Sequence, residues 1–160
     1  MKTKKIARYG LLVALAFILS YLESLFPIPV PIPGIKLGLA NLVIITALYS
    51  MGGKDAFILS LIRTILVGFT FGNLSMMAFS LAGGLLSWLT MYIFYKSNLF
   101  TIIGVSIIGG VAHNIGQVSM AVIVNYNMNI FYILPLLTIS GIVTGALIGI
   151  IASLIVKRIL

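Results

Sequence analysis

The stretch LFTIIGVSIIGGVAHNIGQVSMAVIV, residues 99–124, decides the fold class. It contains no charged side chain and exceeds the roughly 20 apolar residues that a helix needs to cross a hydrocarbon layer about 30 Å thick. Yet Gly109, Gly110, His113, Asn114 and Gln117 follow Ser106 at offsets of 3, 4, 7, 8 and 11. At about 3.6 residues per turn those positions share a face, so a helix of Ile, Val, Ala and Met carries one polar stripe. In hydrocarbon such groups face a bundle interior or an aqueous cavity. The stripe reads as a ligand or coupling face, the plainer reading being hydrogen bonds between helices.

Outward from this segment the chain keeps the same character. Of its 160 residues 61% are hydrophobic and 8% charged, against about 25% charged in soluble domains, so a water-exposed surface cannot be built. Breaks at Gly, Pro, Asn and Lys clusters divide it into expected spans at 6–25, 37–51, 54–70, 74–95, 99–124 and 130–156. The expectation is an all-α, polytopic six-helix membrane bundle in one domain, without linker or soluble module. Lys2, Lys4, Lys5 and Arg8 before the first apolar run resemble a signal peptide, but no small-x-small cleavage site follows and a retained helix is expected. With the N-terminus in the cytoplasm, Lys54, Lys96, Lys157 and Arg158 join those four on one side. The positive-inside rule then favours six spans in a bacterial cytoplasmic membrane, with both termini cytoplasmic. The net charge of +8 is accounted for by topology and lipid contact rather than nucleic acid.

Composition also removes chemistries. There is no cysteine, and Glu23 and Asp55 are the only carboxylate side chains, which leaves too few oxygen ligands for a magnesium site. Gly52-Gly53-Lys54-Asp55 lacks the first glycine and the hydroxyl of a P-loop, so energy for transport would come from a partner or an ion gradient. No cofactor is expected.

The few polar groups inside the spans are therefore the candidates. Prolines at 27, 29, 31 and 33 make the first connection a stiff extended segment, either a lid over a cavity or a plain connector. Lys36 stands where a cation snorkels or meets an anionic ligand, and Asn41 shares a helical face with Gly38. Arg63, nine residues past Lys54, is roughly 13 Å into the membrane and must find an anion, carbonyls or water. Two readings stand for it, a structural ion pair with Glu23 and a solute-binding cation. His113 is the side chain best able to carry a proton, with Glu23 second. On the first span, Gly10-x-x-x-Ala14 permits close approach of a second helix, from a partner or from within the bundle.

The strings Pro33 to Asn41 (PGIKLGLAN), Ser80 to Ser87 and Gly109 to Gln117 (GGVAHNIGQ) resemble a small bacterial membrane family known as Gx transporter or heptaprenyl diphosphate synthase component I. In size, span number and the small-x-x-x-small pair, the chain also resembles the S components of energy-coupling factor (ECF) transporters. That likeness implies a bundle that captures a vitamin-like or anionic, isoprenoid-related solute. It further implies docking through the first span on a membrane coupling subunit driven by separate ATPases. On this reading Lys36, Asn41, Arg63, His113, Asn114 and Gln117 line the solute site, Glu23 binds or pairs, and Gly10 and Ala14 dock. The synthase label implies instead a non-catalytic accessory subunit of prenyl diphosphate synthesis, and a third reading is a proton-coupled carrier using His113.

Overall fold

The computed structural model describes residues 2–25 and 38–159. Within them the chain forms α1 (Lys2–Leu25), α2 (Asn41–Ser50), α3 (Gly53–Thr70), α4 (Leu74–Ser97), α5 (Ile102–Asn125) and α6 (Leu134–Ile159), with a 3-10 turn at Met128–Ile133. No strand occurs among the described residues. The proline segment and Lys36 lie outside them.

Local chemistry sets the helix ends. The Asn73 side chain accepts from the Met76 N–H at 2.8 Å and the Thr101 hydroxyl from the Gly104 N–H at 3.3 Å, capping the starts of α4 and α5. Asn98 and Tyr126, at φ +54° and +49°, turn the chain out of those two helices. Pro135 falls in the first turn of α6, where a missing N–H costs nothing. Two expected boundaries move for physical reasons. The segment expected as helix from residue 37 becomes helical only at Asn41, because Gly38 takes φ +87° and the turn after it resets the direction. The segment expected from residue 99 starts at Ile102, since the capping Thr101 is extended.

Among the described residues, four stretches are long and apolar enough to cross a membrane: Lys5–Leu25, Leu74–Ser97, Ile102–Asn125 and Met128–Arg158. They mark a membrane protein. The 18-residue α3 is shorter than any of them and carries Lys54, Asp55 and Arg63. The ten-residue α2 reaches only about 15 Å. This short helix is central: seven of its ten residues are buried, and it touches all five other helices.

Close backbone approach joins α4, α5 and α6. A Cβ on Gly116 would stand 2.7 Å from the Ala82 carbonyl oxygen of α4, and one on Gly110 would stand 2.6 Å from the Gly141 carbonyl oxygen of α6. Without a hydrophobic driving force between helices in lipid, such contacts are how association is secured. In contrast, among the described elements α1 packs against α2 and α3 alone, leaving Ile6, Leu11, Ile18 and Leu22 exposed. Its basic end is tied to α3 through Asp55, which meets Lys5 Nζ at 2.9 Å and accepts from the Tyr9 hydroxyl at 2.6 Å.

Two apolar clusters fill the interior. One joins Ile44, Ile45 and Leu48 to Leu59, Met91, Val105 and Ile148; the other joins Phe79 to Val118, Ala121, Val122 and Leu137. Along α5, residues 113 to 117 fall between the two clusters. That interval holds a buried polar layer.

Candidate functional site

The layer begins at the end of α1. Glu23 is buried, and its Oε1 accepts from the backbone N–H of Gly38 at 2.5 Å and of Leu39 at 3.4 Å. This fixes the turn that opens α2. A Cβ at Gly38 would lie 3.1 Å from Asn41 Nδ2 and 3.2 Å from His113 Cδ2, so the turn sets Asn41 directly beside the imidazole on α5. His113 Nε2 is hydrogen-bonded to the Gln117 amide nitrogen one turn along. The contact ties the imidazole to the Gln117 amide on the same face of α5.

The other half of the layer is built on α3. Arg63 is 4% exposed; Nη1 donates to Ser20 Oγ and Nη2 to Thr64 Oγ1, each at 3.4 Å. Thr64 in turn donates to the Ser60 carbonyl at 2.9 Å. The two halves meet at adjacent glycines of α4. Gly83 faces α5, where a Cβ would come 2.7 Å from the His113 carbonyl oxygen and 2.8 Å from Gln117 Cγ. Gly84 faces α3, where a Cβ would meet Ser60 Oγ at 3.1 Å and Arg63 Nη2 at 4.0 Å. Lacking side chains, this pair lets the two polar groups converge on α4.

The single stripe expected on α5 divides in three dimensions. His113 and Gln117 turn toward α4, whereas Asn114 turns to α6 and donates to the Leu137 carbonyl at 2.6 Å. Gly110 lies on that same side, against Gly141. Asn114 is thus placed to hold α5 to α6, while Asn41, His113 and Gln117 gather around Gly38 and Gly83, and Arg63 approaches the next residue of α4, Gly84. Sequence reasoning missed Ser20, Ser60 and Thr64. Helical Ser and Thr commonly bond the preceding turn, as Thr64 does, and so give no signal of their own.

Gly10 and Ala14 are exposed on α1, and a Cβ at Gly10 meets no atom within 4 Å. Neighbouring α1 residues Arg8, Leu11 and Leu12 face Thr46, Ser50 and Met51 across a crevice of about 250 Å³ at the basic end. Among the described residues no group of three or more His, Asp or Glu could hold a metal ion. The layer offers one guanidinium, one carboxylate, one imidazole and two amides in an apolar enclosure. Its chemistry is recognition by charge and hydrogen bonding, strengthened by the low dielectric around it.

With that geometry in hand, the family model for heptaprenyl diphosphate synthase component I matches residues 12–155. The chain belongs to this family. The match includes every residue of the polar layer, from Ser20 to Gln117. No curated protein matches this component I chain. Among solved structures, the S component of a bacterial ECF transporter is similar, with a TM-score of 0.69 and 23% identity over 99% of this chain and 96% of that one. At that identity the likeness is one of fold.

Proposed function

We propose that this component I family member is the substrate-binding membrane subunit of an ECF-type importer for a small solute. The observation that carries the reading is the buried polar layer, assembled from α1 to α5 and closed by the Glu23 to Gly38 contact, within an S-component fold. Asn41, Arg63, His113 and Gln117 line the solute. Six spans carry both termini to the cytoplasm, in keeping with the basic residues at 2 to 8, 54, 96, 157 and 158.

Transport needs an energy source, and α1 offers the place for one. Its outer face carries Gly10 and Ala14, both exposed, and none of the described residues comes within 4 Å of a Cβ at Gly10, which suits close docking of a helix from a coupling subunit that separate ATPases drive. Affinity purification from native membranes tests this. Recovery of a coupling subunit and two ATPases, lost when Gly10 and Ala14 are both replaced by Leu, is the expected result. Purification of the chain alone, with uptake undiminished in the absence of ATPases, overturns it.

The family description favours a second reading, an accessory subunit of heptaprenyl diphosphate synthesis. Catalysis by this chain alone does not suit its carboxylates. Glu23 ends α1, and Asp55 pairs with Lys5 near the start of α1, 18 residues or about 27 Å away. Two carboxylates so separated cannot share a magnesium ion. The accessory reading requires that deleting the gene alter prenyl chain products.

A further inference from the structure

Two donors in the polar layer have no acceptor among the described residues: Arg63 Nε and Asn41 Nδ2. Their residues are 4% and 6% exposed, so bulk water does not complete them. Both atoms only donate, and whatever satisfies them brings acceptors. The remaining bonds of the guanidinium are weak for a charged group. They reach the neutral hydroxyls of Ser20 and Thr64 at 3.4 Å, whereas charge-assisted bonds close to about 2.7–2.9 Å. Glu23 Oε1 accepts from the Gly38 and Leu39 backbone. On the α4 side, Gly84 has no side chain to shield Nη2.

We infer that the solute presents an oxyanion, a carboxylate or a phosphate, to Arg63 Nε and Asn41 Nδ2, its remaining body lying toward His113 and Gln117. An oxyanion would give the guanidinium a charge-assisted bond shorter than those to the two neutral hydroxyls. The planar fork of arginine suits a group with two or more oxygens on one centre. This inference rests on the solute-binding reading above and adds the chemical class of the ligand.

The test uses the purified full chain in detergent, with thermal unfolding followed by the fluorescence of Trp88. Sodium benzoate, sodium phosphate and benzylammonium chloride are titrated at constant ionic strength. A concentration-dependent rise in Tm with benzoate or with phosphate is expected, and which anion acts distinguishes a carboxylate from a phosphate. Benzylammonium should give none. Arg63→Lys and Asn41→Leu, each compared with its own unliganded Tm, should weaken the effective anion at least tenfold. The inference is overturned if neither anion shifts the wild type, if benzylammonium stabilises equally, or if both variants respond as the wild type does. Discrimination by the wild type requires no variant, so it decides the matter even where a substitution unfolds the bundle. Absence of an anion effect with ATPase copurification intact removes the oxyanion alone; the converse pair of results removes the transport reading alone.

Discussion

Replacing Gly38 by Ala separates two consequences of the turn that opens α2. At φ +87° an alanine is strained by about 1–2 kcal/mol, and Gly52, at φ +99°, imposes a similar strain. Only their surroundings differ. A methyl at Gly52 meets nothing within 4 Å, whereas at Gly38 it would stand 3.1 Å from Asn41 Nδ2 and 3.2 Å from His113 Cδ2. Crowding of that kind adds about 1–3 kcal/mol, because Asn41 and His113 are both buried and have little room to retreat. Gly52→Ala should therefore lower stability by roughly 1–2 kcal/mol and Gly38→Ala by roughly 2–5 kcal/mol. Gly10→Ala, in a regular helix with open space around it, should be neutral or stabilising by up to about 1 kcal/mol. Equilibrium unfolding of the three variants in detergent, followed by far-UV circular dichroism, measures the series. If Gly38→Ala is no more damaging than Gly52→Ala, the turn does not press on Asn41 and His113, and the site as described is refuted.

Gly116→Ala should destabilise by roughly 1–3 kcal/mol, since its methyl would lie 2.7 Å and 2.8 Å from backbone atoms of Ala82 and Gly83 and would force α4 from α5. Gly84→Ala meets only the Ser60 hydroxyl, which can rotate, and should be the milder change in the same unfolding assay. Asn114→Leu, of similar volume, should lose about 1 kcal/mol with its hydrogen bond to Leu137 while leaving the amount of solute retained after purification unchanged. Asp55→Asn should cost under about 1 kcal/mol, as its partner Lys5 is largely exposed, and the difference from wild type should shrink in high salt.

How far the sequence carries this picture can be followed residue by residue. Residues 99–124 announced a membrane helix because a long uncharged run has few other stable environments, although the capping role of Thr101 inside that run was not read. That the second span is short was legible from its expected bounds, 37–51, but its start at Asn41 was not. That start follows from the backbone at Gly38, and one glycine among many carries no mark of a positive φ. His113, Asn114 and Gln117 were visible as polar residues out of place, but their division between α4 and α6 depends on which helices flank α5, and periodicity does not encode that. Gly83 and Gly84 were legible as packing residues only; that they face different halves of one polar layer emerges when α3 and α5 both approach α4. Arg63 was found by its depth alone, yet its hydroxyl partners are hidden in sequence, because Ser20 lies on another helix and Ser60 and Thr64 look like ordinary helix residues.

The central claim, that the buried layer between the two apolar clusters holds a small solute, is tested most directly by mass spectrometry of the protein after gentle purification. Wild type and the His113→Ala, Gln117→Ala double variant are compared, with circular dichroism confirming that both are folded. The account predicts a small molecule near one equivalent per chain in the wild type and its loss from the variant. A wild type that retains nothing from native membranes, or a variant that retains the same molecule in the same amount, contradicts it.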